Sequence, residues 1–452
     1  MKVFEPKIFN SLKGYKPKQI LSDIVAGIIV AIIALPLSIA LAIASGAAPV
    51  TGLYTAIIAG FIISLFGGSK VNISGPTAAF ATIVAGIILS DGMDGLIIAT
   101  VMAGLILIIM GLCRVGTLIK FIPKTITIGF TSGIAVTLLV GQLKDFLGLT
   151  YPAGTNAIET PEKLALVIEH FSTINLWAVL VGVIGLIILI LWPMLNKLKA
   201  KPFKIMAKIP GSLIAVLVGA IVVFFLDKVN TIGTLYTIDS SLPKFSFPFK
   251  DLTFDKVLHL LPSAFTSALL AGIESLLSCV VSDKMIDDKH NPNTELIAQG
   301  LGNIGAGLFG GIPATGAIAR TAANVRNGGR SPISGITHAI VLFLVLILLM
   351  PYASLIPMPI IAAILFIVAY NMSEWREFLH VIKQKNWADI LVLVVTFVLT
   401  VVFDLVKAIA VGMVIHYLIV LVKFIINKRK LKNQPMGDAD KKSTKTVNES
   451  DI

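Results

Sequence analysis

Two short stretches of this chain carry residue types suited to holding an anion. They are Ser74-Gly75-Pro76-Thr77-Ala78-Ala79-Phe80 and a looser echo, Pro313-Ala314-Thr315-Gly316-Ala317. In each, proline interrupts a segment too short or too broken to cross a bilayer as one helix. Proline fixes φ, pushes its predecessor towards extended backbone and does no harm at a first helical position. Both stretches therefore read as a short strand running into a half-helix. A helix start presents unpaired N–H groups and about half a positive charge, so two starts facing one space make an anion site. Thr77 and Thr315 add hydroxyl donors. Gly75, Ala78, Ala79, Gly316 and Ala317 let a ligand approach the backbone, although small residues also serve close helix packing.

Three further side chains join this set. Glu274, within Ala271-Gly272-Ile273-Glu274-Ser275-Leu276-Leu277-Ser278, reads as the one carboxylate well inside an apolar run. Ionising it in hydrocarbon is costly, so it must be protonated, paired or beside water, which suits coupling to a proton or cation. A structural carboxylate bonded to broken backbone is the other reading. Ser278 offers an oxygen one turn further on. Arg320 would supply a guanidinium to the anion or its exit path, or act as a basic anchor at a span end. Asp23, Asp145, Asp227, Asp283 and Asp404 fall at span ends, where solvation is cheap, and read as boundary residues.

Other patterns lead elsewhere. Gly300-Leu301-Gly302-Asn303-Ile304-Gly305 matches a dinucleotide fingerprint but follows no strand, so it reads as helix packing. Asn72-Ile73-Ser74 matches a glycosylation sequon at or within the membrane and is set aside. Six histidines show no ligand spacing, and Cys113 and Cys279 imply neither a disulfide framework nor a metal cluster. No cofactor is expected.

The elements that must position these residues are membrane spans. Of 452 residues, 56% are apolar and only 14% charged, against about 25% charged in soluble domains. Mean hydropathy is +0.92. Apolar runs recur from Ile20 to Ile426, which predicts an all-α polytopic membrane protein. The first run is too long for a signal peptide. Fourteen spans are expected: 20–45, 50–66, 70–89, 95–112, 122–143, 173–192 and 211–226, then 262–282, 294–310, 312–326, 334–350, 354–371, 387–403 and 406–426. An odd number per half inverts the second half, a 7+7 inverted repeat with the broken segments (3 and 10) third in each. Their N-terminal ends would meet near the midplane.

This order puts 30 of the 37 lysines and arginines on one side. Those include Lys197, Lys199, Lys201, Lys204 and Lys208. The net charge of +12 is thus positive-inside asymmetry rather than a nucleic-acid surface, and both termini are expected in the cytoplasm. Residues 1–19 form a cytoplasmic lead-in, 227–257 a polar junction between halves, and 428–452 a tail expected to be disordered.

Several motifs resemble the SulP family of anion transporters. They are Ala34-Leu35-Pro36-Leu37-Ser38-Ile39-Ala40-Leu41, Gly52-Leu53-Tyr54, Ser74 to Phe80, Ala268 to Asp283 and Gly310 to Gly335. The resemblance implies a uracil-transporter-like fold in the plasma membrane (bacterial inner membrane), surrounded by lipid and commonly a homodimer. It implies a core domain (20–113 and 258–351) moving against a gate domain (117–227 and 354–427), within a transporter domain of 20–427. The substrate would be sulfate, bicarbonate or a C4-dicarboxylate. It would sit between Thr77–Ala79 and Gly316–Ile318, facing Leu37 and Leu41, with Glu274 as the coupling carboxylate. Most members continue into a STAS domain, which this sequence is expected to lack. Sodium-coupled relatives tend to carry a hydroxyl residue where this chain has Ile318, which favours a proton over sodium. The expected activity is secondary active transport, by proton symport or anion exchange and an elevator motion. A nucleobase transporter of the same fold and an anion channel are the alternatives. No paired carboxylates or His/Cys cluster suggest an enzyme.

Overall fold

The computed structural model describes residues 4–11, 14–117, 123–152, 155, 157, 159–197, 209–226, 228–238, 241–248, 252–402 and 405–432. Asp227, Asp404, Lys199, Lys201, Lys204, Lys208 and the tail from 433 onward lie outside these residues. The apolar runs form helices α1 (Pro17–Ala44), α2 (Pro49–Phe66), α3 (Ala81–Leu112), α4 (Lys124–Leu147), α5 (Leu176–Leu191) and α6 (Gly211–Phe225). The second half gives α7 (Phe254–Ile286), α8 (Pro292–Leu308), α9 (Ile318–Arg326), α10 (Ile333–Leu349), α11 (Met358–Met372), α12 (Trp375–Lys383), α13 (Trp387–Val402) and α14 (Leu405–Lys432). Among the described residues, eight helices are long and apolar enough to cross a membrane, and Gly211–Phe225, Trp387–Val402 and Val411–Val422 are shorter apolar helices.

Sequence boundaries and structure differ where backbone chemistry is local. The expected connection at 90–94 contracts to a single kink: Gly92 has φ +69°, a left-handed conformation that glycine adopts without a Cβ penalty. The first half-helix and the following span thus meet at one residue. Helix α7 starts at Phe254 rather than 262, because the Thr253 hydroxyl caps the Lys256 N–H at 3.3 Å. Residues 375–383, expected as a connection, form the amphipathic helix α12.

The helices pack in two sets. Helices α1, α2, α3, α7, α8, α9 and α10 contact one another extensively, as do α4, α5, α11 and α13; links between the sets run chiefly through α1. The tightest seam in the first set is α3 on α8. A Cβ at Gly104 would fall 2.6 Å from the Gly300 carbonyl, and one at Gly300 would fall 2.5 Å from that of Gly104. Gly302 and Gly305 press on Ile63 and Ile62 of α2, so the dinucleotide-like pattern is a packing surface.

One boundary reading is overturned. Asp23 is fully buried, not solvated at a span end, because the 327–332 loop folds back over the start of α1. Its carboxylate accepts from Tyr15 Oη (2.5 Å), Arg330 N (2.6 Å), Ser331 N (3.1 Å) and Ser331 Oγ (2.6 Å). Burial, then the bond to Asp23, push the Tyr15 hydroxyl up to about 12.

Two predictions follow from this packing. Gly104→Ala should lose about 1–3 kcal/mol through overpacking, whereas Gly86→Ala, with nothing within 4 Å of its Cβ, should gain about 0.5–1 kcal/mol; melting of the purified variants decides. Because the Tyr15 pKa is raised on folding, its stabilising contribution is complete below pH 10 and disappears as pH rises towards 12. Tyr15→Phe should therefore show a shallower fall in melting temperature over that interval than wild type.

Candidate functional site

Two strands of two residues each hold the site. β1 (Ser74–Gly75) pairs antiparallel with β2 (Thr315–Gly316), with Ser74 opposite Gly316 and Gly75 opposite Thr315. β1 leads through Thr77 into a 3-10 turn at Ala78–Phe80 that continues as α3, and β2 leads into α9. The two helix starts, one from each half, are thereby fixed side by side, as the sequence motifs suggested.

Unwound backbone at this depth must find partners within the protein. Ile73 N donates to Thr321 Oγ1 (2.9 Å), and the Ile73 carbonyl accepts from Ala317 N (2.9 Å). Thr55 Oγ1 accepts from Ile312 N (2.7 Å) and donates to its carbonyl (2.9 Å). The Asn303 amide bonds both polar groups of Ala314, each at 2.9 Å. Gly316 N donates to Ser275 Oγ (2.9 Å). Glu295, fully buried, accepts from Gly68 N, Ser69 N, Asn72 Nδ2 and Gln299 Nε2 at 2.7–3.2 Å. Glu274 is therefore not the only carboxylate deep in the chain; Glu295 escaped notice because it lies next to the expected start of its span.

Around this frame the expected site residues divide. Thr77 Oγ1 donates to Glu274 Oε2 (2.9 Å), which joins the first half-helix to α7. Thr77 and Glu274 both keep part of their surface accessible, and Ile318 is 40% exposed, so the three border open space. Ala78 and Ala79 are buried behind them. Arg320 is buried; its Nη2 donates to the Pro76 carbonyl (2.8 Å), while Nη1 has no protein partner and lies close enough to Gly75 to crowd any Cβ there. It makes no ion pair among the described residues. Its cationic charge is thus held beside both helix starts, not at the inner end of α9. Leu41 packs in the same apolar cluster as Ala78, whereas Leu37 contacts the cluster of α5, α6 and α11.

Two hydroxyls do not face the site as free donors. Thr315 Oγ1 donates to the Ala271 carbonyl (2.9 Å) and sits 2.8 Å from Ser275 Oγ. Ser278 Oγ donates to Asn72 Oδ1 (2.7 Å) and lies 3.1 Å from Thr321 Oγ1, turned into the Glu295 network. No cluster of three metal-ligating side chains exists among the described residues.

Half-helices of opposite sense, started by paired strands and enclosed by apolar helices, define an inverted-repeat membrane transporter. The chain belongs to the sulfate permease family, whose model matches residues 20–396. It is 44% identical to the putative sulfate transporter YvdB of Bacillus subtilis, over 90% of this chain and 74% of that one. It is 32% identical to the bicarbonate transporter BicA of Picosynechococcus, over 94% and 74%. Among solved structures, the transmembrane domain of a cyanobacterial BicA superposes with a TM-score of 0.75 at 30% identity, covering 87% of this chain and 98% of that one. SLC26A9, at 20% identity and TM-score 0.82 over 92% and 68%, shares the fold. The two sequence relatives are named as transporters, one of sulfate (putatively) and one of bicarbonate.

Removing the Glu295 acceptor orphans buried donors at about 1–3 kcal/mol each. Glu295→Ala should therefore melt well below wild type, with Glu295→Gln, which keeps one acceptor oxygen, in between. An Ala variant melting with wild type would remove Glu295 from its structural role.

Proposed function

We propose that this protein is a secondary active transporter of a small inorganic anion, sulfate or bicarbonate, driven by a proton that Glu274 carries. The observation that carries the reading is the clustering of two helix starts with an Arg320 guanidinium that has no carboxylate partner. Such a group of positive ends and N–H donors in a shielded space attracts an anion, whereas a nucleobase would find no carboxylate on the second half-helix, which carries Arg320 instead. The names of the related sulfate and bicarbonate transporters favour those two anions over a dicarboxylate.

Coupling follows from the Thr77–Glu274 bond. An ionised Glu274 accepts the Thr77 hydroxyl proton and places a negative charge beside the anion space. A protonated Glu274 removes that charge and admits the anion. Proton and anion would thus enter together, each relieving the cost of the other. Sodium is less well served. Ile318 brings no oxygen, and the hydroxyls of Ser275, Ser278 and Thr315 are engaged with one another, with Asn72 and with backbone. Sparse contact between the two helix sets supports an elevator motion in which α1–α3 and α7–α10 carry the site past α4–α6 and α11–α14. The plasma membrane is the expected location.

Uptake of labelled sulfate and bicarbonate into proteoliposomes tests this. Wild type should accumulate one of them faster with an inward proton gradient. Glu274→Gln should lose the acceleration by that gradient, and Arg320→Gln should weaken anion affinity at least about tenfold, equivalent to about 1.4 kcal/mol. Gradient-driven uptake that survives in Glu274→Gln would make the carboxylate structural. Uptake that needs no coupling ion and shows single-channel conductance would replace the transporter with a channel.

A further inference from the structure

Helix α12 lies outside everything the transport site uses, yet it is built for a specific surface. Phe378 and Val381 turn inward, packing with Ile128 of α4 and Leu393 of α13. Trp375, Leu379 and Ile382, at helical spacing, turn outward and are 42%, 43% and 38% exposed. Trp387, just beyond the helix, is 82% exposed. Arg376, Glu377, His380 and Lys383 occupy a third, polar side. A helix of nine residues with one apolar side on protein, one bare and a charged flank suits the boundary between acyl chains and headgroups.

Between α12 and the start of α4 lies a recess of about 450 Å³, whose lining includes Lys124, Thr125, Arg376, His380 and Gln384. Its chemistry is that of an anion seat. Helix α4 begins after Pro123 with no side-chain cap, so its first N–H groups are free of intrahelical partners. The Thr125 hydroxyl is shielded from solvent and has no protein partner. Lys124 and Glu377 pair at 2.7 Å and cancel. Among the groups that line the recess, that leaves the Arg376 guanidinium, 5.4 Å from the Trp375 ring, as the cation without an ion-pair partner; Glu374, outside the lining, faces Lys124. A guanidinium without a carboxylate partner beside exposed tryptophans suits a ligand with an anionic head and a long apolar body.

We propose that this recess binds the phosphodiester headgroup of an anionic phospholipid, with its acyl chains lying along Trp375, Leu379 and Ile382. The phosphate sits among the α4 N–H groups, Thr125 Oγ1 and Arg376, while the Lys124–Glu377 pair closes one wall. Because α12 follows α11 directly and leans on α4 and α13, the lipid joins three helices of the set that does not carry the anion site, and it stabilises that set against the bilayer.

The test is the gain in melting temperature on adding lipid to the detergent-purified protein. Phosphatidylglycerol should raise the wild-type melting temperature, as a ligand of the folded state must, and phosphatidylcholine of the same chains should raise it by less than half as much. Arg376→Gln and Thr125→Val should each lose at least half of the phosphatidylglycerol gain, whatever their own starting stability. Lys383→Gln, on the same helix but outside the recess, should keep it. Native mass spectrometry should show one fewer retained phosphatidylglycerol on Arg376→Gln than on wild type. Equal gains from the two lipids, an undiminished gain in Arg376→Gln, or an equal loss in Lys383→Gln would each overturn the proposal. The same gain from glycerol 3-phosphate alone would assign the seat to a soluble phosphate and overturn the lipid.

Discussion

Everything at the centre of this protein depends on satisfying backbone that is not helical in a place without water. A strand–turn–half-helix buried among apolar spans exposes N–H and C=O groups that neither lipid nor a neighbouring turn of helix will pair. The chain meets that demand with side chains. Thr55, Asn303, Ser275, Thr321 and Glu295 each bond main-chain groups of the two broken segments, and Asn324 takes the Val71 carbonyl. The ladder itself is only two residues deep. Its rigidity comes from this surrounding polar shell, which is why the shell is almost wholly buried.

That shell also fixes the geometry of the candidate site. The helix starts face the same space because Ser74 opposes Gly316, and no rotation of either half-helix is possible without breaking the shell. Arg320 adds a charge that is fixed by one bond to Pro76 and left otherwise uncommitted. Glu274 is the opposite case, held by a single hydroxyl and partly open. The two charges of the candidate site thus differ in setting, a buried guanidinium and a carboxylate that keeps part of its surface accessible.

Much of this was legible in the sequence. Gly75-Pro76 and Gly311-Ile312-Pro313 mark the interruptions by backbone chemistry alone, and the apolar runs place the spans. Glu274 stands out because a carboxylate amid Ala, Leu and Ile has no local reason to be there. What stayed hidden has its partners far away in sequence. Asn72 and Glu295, about 220 residues apart by their bond, each look like polar residues near a span end. Asp23 was misread for the same reason, since its ligands lie at residues 330–331. Ser278 and Thr315 looked like site hydroxyls because composition does not say which way a hydroxyl turns. Helix α12 was too short and too mixed in polarity to separate from a loop.

The long sequence separations also bear on how the protein is made. Residues 68–76 enter the membrane early, but the groups that complete them, from Ser278 to Asn324, are not yet synthesised. The separations are 206–253 residues for the bonds of Asn72 with Ser278 and of Val71 with Asn324. At roughly 5–20 residues per second of translation, the first broken segment waits on the order of ten to fifty seconds with its polar backbone unpaired. During that interval the nascent first half is an incomplete object in the bilayer, and it is completed only when α7, α8 and α9 bring Ser278, Glu295 and Thr321 to it.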